Sequence, residues 1–232
     1  MDILKDIYDY YKAELPPPSR IVCGAKYFAV ENSLGNVGLA ANLGEHKTVE
    51  ISELMNPHFG HYHQRVAVNA WINAYVNNQN SYPAEKDIFD QINFKAYPNI
   101  VMVGFFESLA AKFHRANIPL TIFDLNKQSP SIAPLESEYE AIHHADVVIV
   151  SSTSLANQTL SKIVTAKGDI TKIMMLGPST PLCPQLIRIT GANILFGSIV
   201  TDKNKLFEIV SNGGGTKQFR PYLKKVYFQP TL

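Results

Sequence analysis

The chain has 232 residues, of which 46% are hydrophobic and 18% charged, and its formal net charge at pH 7 is +1. These values predict an ordinary globular protein with one large or two small domains. The scattered Lys and Arg residues give no reason to expect a nucleic acid or a membrane as partner, and no apolar run approaches the ~20 residues that a membrane-spanning helix needs.

The first 95 residues predict a small α+β domain. Apolar residues at helical spacing favour a helix over 2–14, which Pro16-Pro17-Pro18 would end. One strand over Ile21–Glu31, turn residues at Asn32–Asn36 and a second strand over Val37–Asn42 predict a hairpin. Further helical segments are expected at Ser52–Met55, from Pro57 to Val76 and over Ile88–Phe94.

After a boundary at Lys95–Asn99, strands and helices alternate, which predicts a mostly parallel sheet covered by helices. The last helix is expected from Asp202 to Gly213, followed by a polar-aromatic tail over Lys217–Leu232. The predicted strands are Ile100–Phe105, Leu120–Leu125, Asp146–Ser151, Lys172–Leu176 and Ile194–Val200. Their carboxyl ends should bring together Gly104, Asp124, Ser151, Gly177 and Gly197.

The stretch Ile173–Pro184 predicts a strand that breaks at Gly177-Pro178 and continues as a helix. Thr180-Pro181 resembles a helix N-cap followed by proline in the first turn. With Ser179 and Thr180 at the mouth of such a helix, backbone N–H groups could hold an anion or a polar ligand. A tight turn without a ligand is the alternative.

The first strand of the second half runs into Gly104-Phe105-Phe106-Glu107. A dinucleotide-binding turn needs three glycines and only Gly104 is present, which argues against NAD or FAD. Asp124 follows twenty residues later, where nucleotide-binding sheets often place an acid that binds ribose hydroxyls. A capping or solvent-facing aspartate is the alternative.

A second hydroxyl-rich turn, Ser151-Ser152-Thr153-Ser154, follows the third strand, with Asn157 and Thr159 one turn later. Two such turns on adjacent strands would form a polar rim, although each could serve only as a helix cap.

Three histidines, His58, His61 and His63, are the strongest metal signal, but neither Cys nor carboxylate accompanies them, so we predict no metal site. Cys183, in the first turn of a predicted helix, is either a thiolate with a lowered pKa or a small apolar filler. It lies far from Cys23, and the N-terminus lacks a signal-peptide core, which together predict free thiols and a cytoplasmic location.

The second half of the chain contains a set of short motifs, accompanied by a looser set upstream. The motifs are Asp146-Val-Val-Ile-Val, Leu155-x-Asn157-x-Thr159-Leu160, Leu176-Gly-Pro-Ser-Thr-Pro-Leu182, Gly191, Leu195-x-Gly197, Val200-x-Asp202 and Gly213-Gly214-Gly215. The upstream set is Cys23-Gly24, Ala29-Val30-Glu31 and Gly38-Leu39-Ala40. Together these motifs resemble the putative heavy-metal chelation family of uncharacterised microbial proteins. The match is specific over roughly 100–219 and looser upstream, and it departs from the family at Ser151-Ser152, Phe106 and Asp124.

The resemblance implies an enolase N-terminal-like domain over 1–95 and a Rossmann-like domain over 96–232. It also implies a cleft between them for a small metal-chelating, pterin-like or corrin-like molecule. A transferase or hydrolase with a nucleotide-like, S-adenosylmethionine-type cofactor is one alternative, with Glu31 or Glu107 as candidate catalytic carboxylates. A non-catalytic scaffold is the other, and a homo-oligomer is compatible with all three.

Overall fold

The computed structural model describes residues 1–83 and 88–230 and contains two sheets. A three-stranded antiparallel sheet consists of β1 (Pro18–Cys23), β2 (Tyr27–Asn32) and β3 (Val37–Ala41). The six-stranded sheet consists of β4 (Ile100–Val103), β5 (Thr121–Phe123), β6 (Val147–Ser151), β7 (Lys172–Leu176), β8 (Ala192–Val200) and β9 (Leu223–Phe228).

The α-helices lie around these two sheets. They are α1 (Ile3–Tyr11), α2 (Ile51–Met55), α3 (Tyr62–Val76), α4 (Ile88–Gln91), α5 (Glu107–Arg115), α6 (Glu138–His143), α7 (Thr153–Ala156), α8 (Leu160–Ala166), α9 (Pro184–Thr190), α10 (Lys203–Ser211) and α11 (Thr216–Phe219). In the described part of the chain, no helix has both the length and the apolar character to cross a membrane.

The six-stranded sheet confirms the predicted α/β class. Its strand order is β5-β4-β6-β7-β8-β9; the first five strands are parallel, and β9 is antiparallel to β8. The central strands are buried on both faces, as in Val147–Ser151, whose first four residues are inaccessible to solvent. Continuous apolar runs of this kind are typical of parallel sheets covered by helices.

The N-terminal prediction of one strand over Ile21–Glu31 is wrong. The segment forms β1 and β2, which pair with each other around a turn at Gly24-Ala25-Lys26. The Gly24 N–H donates to the Tyr27 carbonyl at 2.9 Å and closes this turn. A Cβ at Gly24 would lie 2.2 Å from the Val210 carbonyl, so glycine allows the turn to approach α10.

Helix α3 begins at Tyr62 with His61 as N-cap, five residues after the predicted start at Pro57. It is buried nearly all round, because one side packs on β2 and β3 while the other faces α1 and α7. Gly38 on β3 allows the close approach: a Cβ there would lie 2.2 Å from both the Ala70 carbonyl oxygen and the Ala74 amide nitrogen.

Three asparagines four residues apart, Asn69, Asn73 and Asn77, form one row along α3. Their amide groups donate to the carbonyls of Ser179 at 3.1 Å, Leu39 at 3.0 Å, and Thr180 at 3.1 Å together with Ser198 at 3.2 Å. The Asn77 side-chain oxygen also accepts from the Leu182 N–H at 2.7 Å. We call these residues the asparagine row; they connect α3 to the small sheet and to the turn after β7.

Two predicted features of the second half are wrong. Helix α9 starts at Pro184, with Cys183 as N-cap, and not at Thr180-Pro181. Thr180-Pro181 and Cys183-Pro184 both have the pattern of an N-cap residue followed by proline. The helix begins at the second of these two prolines. The predicted tail contains α11 and the edge strand β9, while its last two residues lie outside the described part of the chain.

One continuous apolar cluster spans both halves of the chain, from Ile7 and Phe28 through Val68 to Val150 and Met175. Helices α1 and α3 contribute to it and pack on α9 and α7. The division at residue 95 and the enolase-like character of the first part stay predictions.

Candidate functional site

The strand order reverses between β4 and β6. The chain leaves β4, forms β5 on one side of it, and returns to form β6 on the other. The crossover segments on the two sides of this point diverge, and ligands of open α/β sheets bind in the crevice that this leaves at the carboxyl ends of the strands. The predicted residues Gly104, Asp124 and Ser151 all lie at this point.

A cavity of about 250 Å³ opens there, and we call it the switch-point cavity. Its walls come from α6 and α8, which supply Glu138, Ile142, Lys162 and Ile163, while Leu43 reaches it from the loop after β3. The polar residues nearest the strand ends are Asp124, Ser151, Thr153, Ser154 and Asn157. Four of these five, with Gly104, are sequence-predicted ligand residues.

Gly104 adopts a φ of +97°, which favours glycine. A Cβ at this position would lie 2.6 Å from the Cβ of Ser151, so the two strand ends meet in direct contact. The turn after β4 has this one glycine, whereas a dinucleotide-binding turn has three.

In this structure the Asp124 carboxylate accepts hydrogen bonds from backbone N–H groups of two neighbouring loops. One carboxylate oxygen accepts the Phe105 N–H at 2.7 Å, and the other accepts the N–H groups of Asn126 at 2.8 Å and Lys127 at 2.9 Å. These bonds tie the end of β5 to the turn after β4. They also use much of the accepting capacity that a ribose hydroxyl would need.

Ser154 lines the cavity and, among the described residues, has a buried polar group without a hydrogen-bond partner. It is buried, and its Oγ makes no hydrogen bond with any described residue. Its neighbours are paired locally: Ser151 Oγ lies 2.9 Å from Thr153 Oγ1, and Asn157 Oδ1 accepts from the Thr159 hydroxyl at 2.8 Å. An unpaired buried hydroxyl costs about 1–3 kcal/mol, which a ligand accepting or donating there would recover.

Glu138 and Lys162 place opposite charges on the two helical walls. Burial raises the pKa of Glu138, and the positive charge of Lys162 partly opposes that shift. A carboxyl group with a raised pKa beside a cavity can exchange a proton with a bound molecule more readily than an exposed one. Neither residue was predicted from the sequence, because the crossover helices α6 and α8 bring their side chains to the strand ends, and Ser154 was predicted only as part of a hydroxyl-rich turn.

The mouth of the switch-point cavity is apolar. Four large hydrophobic side chains around it are exposed, and Tyr139 and Leu125 are 60% and 55% accessible. The other two are Leu43 and Leu135. A molecule seated in the cavity would therefore meet hydroxyl and amide groups inside and apolar surface at the entrance.

Other predicted residues line a second cavity, of about 380 Å³, at the ends of β7 and β8. These residues are Phe106, Gly177, Pro178 and Gly197. Gly197 lies within β8 and not at its end, but the Gly177 N–H donates to the neighbouring Phe196 carbonyl, so both glycines are level with the same edge of the sheet.

The predicted anion turn is occupied by the protein itself. Ser179 and Thr180 are buried, and Ser179 Oγ accepts the Ala41 N–H at 2.8 Å. The N–H groups of Thr180 and Leu182 donate to the Gly177 carbonyl and to Asn77. The expectation that the N–H groups of this turn hold an anion or a polar ligand is wrong for Thr180 and Leu182, because the protein itself supplies their acceptors.

Three further predicted residues, Phe105, Glu107 and Ser152, are outside the lining of both cavities. Ser152 is buried, and Glu107 is exposed in the first turn of α5. Glu31, the other candidate catalytic carboxylate, forms an ion pair with Lys203 at 2.5 Å and lines neither cavity. The geometry gives these residues no ligand contact in the cavities.

The histidines do not lie on one helical face, because α3 begins after His61. The rings of His58 and His61 are 4.3 Å apart, whereas His63 bonds the Glu45 carbonyl at 2.7 Å. Across residues 1–83 and 88–230, no three His, Cys, Asp or Glu side chains form a group that could hold a metal ion.

Cys183 is buried at the start of α9, and burial raises the pKa of its thiol to about 11. The interpretation of Cys183 as a thiolate with a lowered pKa is therefore wrong; the cost of burying the charge outweighs the helix dipole. It packs as a small apolar residue beside Leu182.

The fold and the cavity define a Rossmann-like α/β protein with a small-molecule-sized crevice at the topological switch point. The DUF364 family model, described as "Putative heavy-metal chelation", matches residues 87–229, and the chain belongs to this family. A search of curated proteins finds no match.

Two solved structures of DUF364 proteins of unknown function are similar over nearly the whole chain. One, from Pyrococcus horikoshii, has a TM-score of 0.86 and 20% identity and covers 98% of this chain and 100% of that one. The other, from Desulfitobacterium hafniense, has a TM-score of 0.77 and 20% identity and covers 97% and 99%. At this identity they show the fold.

Proposed function

We propose that this protein binds a small organic molecule with a polar edge in the switch-point cavity, and that this molecule is a metal chelator or a related pterin-like or corrin-like compound. The observation that carries the proposal is the cavity of about 250 Å³ at the carboxyl ends of β4 and β6, whose lining includes Ser154, a buried residue with no hydrogen-bond partner for its hydroxyl among the described residues. The apolar mouth would contact the body of such a molecule, and the family's description supplies the link to metals.

The residues of the cavity do not suit a heavy-metal ion bound directly. Its donors are hydroxyls, amides and two carboxylates, and Asp124 already accepts three backbone N–H groups. Soft and borderline metals prefer thiolate and imidazole ligands. A metal would therefore arrive already held by the organic ligand.

A thermal-shift panel of metals, pterins, corrinoids and S-adenosylmethionine tests the proposal. A compound present at a hundred times its dissociation constant stabilises the folded state by about 2.7 kcal/mol, which shifts the melting temperature measurably. Stabilisation by S-adenosylmethionine alone would favour the transferase or hydrolase alternative, for which Asp124 in the cavity lining is the supporting feature. If every compound leaves the melting temperature unchanged, the scaffold alternative is favoured.

Ser154→Ala should separate binding from stability. Because the hydroxyl has no partner among the residues that the structure describes, its removal should leave the free energy of unfolding unchanged or raise it by up to about 1 kcal/mol. Binding of the stabilising compound should weaken by about three- to tenfold, the equivalent of one hydrogen bond. Calorimetry and urea denaturation measure the two effects, with exposed Ser211→Ala as the control. A loss of stability with unchanged binding would contradict the proposed role.

Titrating the free protein with zinc, cobalt and nickel by calorimetry should show no sub-micromolar, one-to-one site, because three strong donors do not converge in the described part of the chain. The triple variant His58/His61/His63→Ala is the matched control. Tight binding that disappears in this variant would make the histidines a metal site and overturn the idea that metal arrives in a chelate.

A further inference from the structure

The second cavity differs from the switch-point cavity in both its walls and its charge. Its apolar wall, formed by Ile88, Leu109 and Phe196, belongs to a separate core cluster from that behind the switch-point cavity. Tyr27 of the small sheet and Thr216 of α11 close its other side. Residues from five elements, α4, α5, β2, β8 and α11, therefore converge on one space of about 380 Å³.

Positive charge dominates the lining of the second cavity. Arg220, Lys112 and Lys225 all border it, and its described lining includes no Asp or Glu. The two lysines also make other interactions within the protein, so Arg220 is the cation on which the argument depends. Glu107, the acidic residue of the first turn of α5, is exposed and outside the lining.

Neutral donors stand beside these cations. Tyr27 Oη and Thr216 Oγ1 lie 2.8 Å apart, and Ser108 belongs to the first turn of α5, a helix of nine residues. The positive end of this helix dipole adds to the field of the cations. Cations, hydroxyl donors and a helix N-terminus around one cavity are the groups that recognise an oxyanion.

We propose that the second cavity is a separate site for a small, multiply charged organic oxyanion, either a di- or tricarboxylate or a phosphate ester. Arg220 makes the principal charged contact, the Tyr27 and Thr216 hydroxyls donate or accept hydrogen bonds, and the apolar wall contacts the carbon skeleton. The site goes beyond the switch-point cavity and does not depend on what that cavity binds.

Isothermal calorimetry with the full chain tests this site, with citrate as the carboxylate probe and pyrophosphate as the phosphate probe. At least one of them should bind one-to-one and more weakly as salt is raised. Arg220→Gln should weaken that binding by about tenfold, the equivalent of one charge-assisted hydrogen bond. Exposed Lys224→Gln, next to the lining residue Lys225, is the matched control and should leave the affinity unchanged.

The two probes distinguish the two candidate classes of ligand, because citrate carries only carboxylates and pyrophosphate only phosphate groups. Arg220 is exposed, so its variant should fold, and an unchanged melting temperature checks this. If that variant does not fold, Thr216→Val, which removes one of the hydroxyls of the proposed site, provides the comparison. Absence of binding by both probes at millimolar concentration, or equal weakening by Arg220→Gln and Lys224→Gln, would overturn the proposal.

Discussion

Replacing Arg65 by methionine should lower the free energy of unfolding by about 3–5 kcal/mol. The Arg65 side chain is 1% exposed and makes five hydrogen bonds. Two go to the carboxylate of Asp2, at 2.5 and 2.9 Å, and three to the carbonyls of Phe59, Leu155 and Ala156. Methionine would fill much of the space but leave these buried carbonyls without a donor, and each unpaired group is costly.

Urea denaturation of the variant measures this loss. Exposed Arg115→Met is the matched control and should change stability by less than about 0.5 kcal/mol. Asp2→Asn should cost less than Arg65→Met, because the Asp2 side chain is 26% exposed and the three carbonyls keep their donor. A loss below about 1 kcal/mol in Arg65→Met would show that water replaces the guanidinium in its pocket.

Gly38→Ala should be the most damaging single-methyl addition at this interface, with a loss of about 3 kcal/mol. The added Cβ would lie 2.2 Å from the backbone of α3 at both Ala70 and Ala74. Neither atom can move by a side-chain rotation, so β3 and α3 must separate and their shared core must open. Well-packed interiors tolerate such expansion poorly.

Thermal and urea denaturation would measure the Gly38→Ala effect. Gly215→Ala is the control, since its Cβ would meet only the Lys26 side chain at 3.4 Å, an ordinary contact distance. Because Gly215 is the N-cap of α11, the control should cost less than about 1 kcal/mol. Similar losses of stability in the two variants would contradict the view that the close approach of β3 and α3 requires glycine at position 38.

The strands of the six-stranded sheet were predictable because parallel strands buried on both faces are short, uninterrupted apolar runs. Lys172–Leu176 was predicted with its observed bounds. Strand β9 was missed because it is an edge strand whose Lys224 and Lys225 interrupt the apolar pattern. The turn at Gly24–Lys26 was missed because apolar residues continue on both sides of a single glycine.

The candidate site was predictable where the strands themselves supply it. Gly104, Asp124 and Ser151 follow from strand ends, since the ends of parallel strands share one edge. Glu138 and Lys162 come from crossover helices, and nothing in sequence spacing tells which helical residue faces the edge. The spacing of Asn69, Asn73 and Asn77 was a readable signal, because polar residues every fourth position share one face of a helix.

The asparagine row also determines how precisely α3 is positioned against the segments it contacts. Apolar side chains tolerate a small slide of one element past another, whereas a directional amide bond does not. The Asn77 side chain alone hydrogen-bonds three backbone groups: the carbonyls of Thr180 and of Ser198, which lies in β8, and the Leu182 N–H. Asn69 and Asn73 leave their side-chain oxygens unpaired among the described residues, so the row sacrifices stability for alignment. The row fixes the position of the segment after Gly177 relative to α3. The wall of the second cavity at Gly177-Pro178 belongs to that segment, so its position is fixed as well.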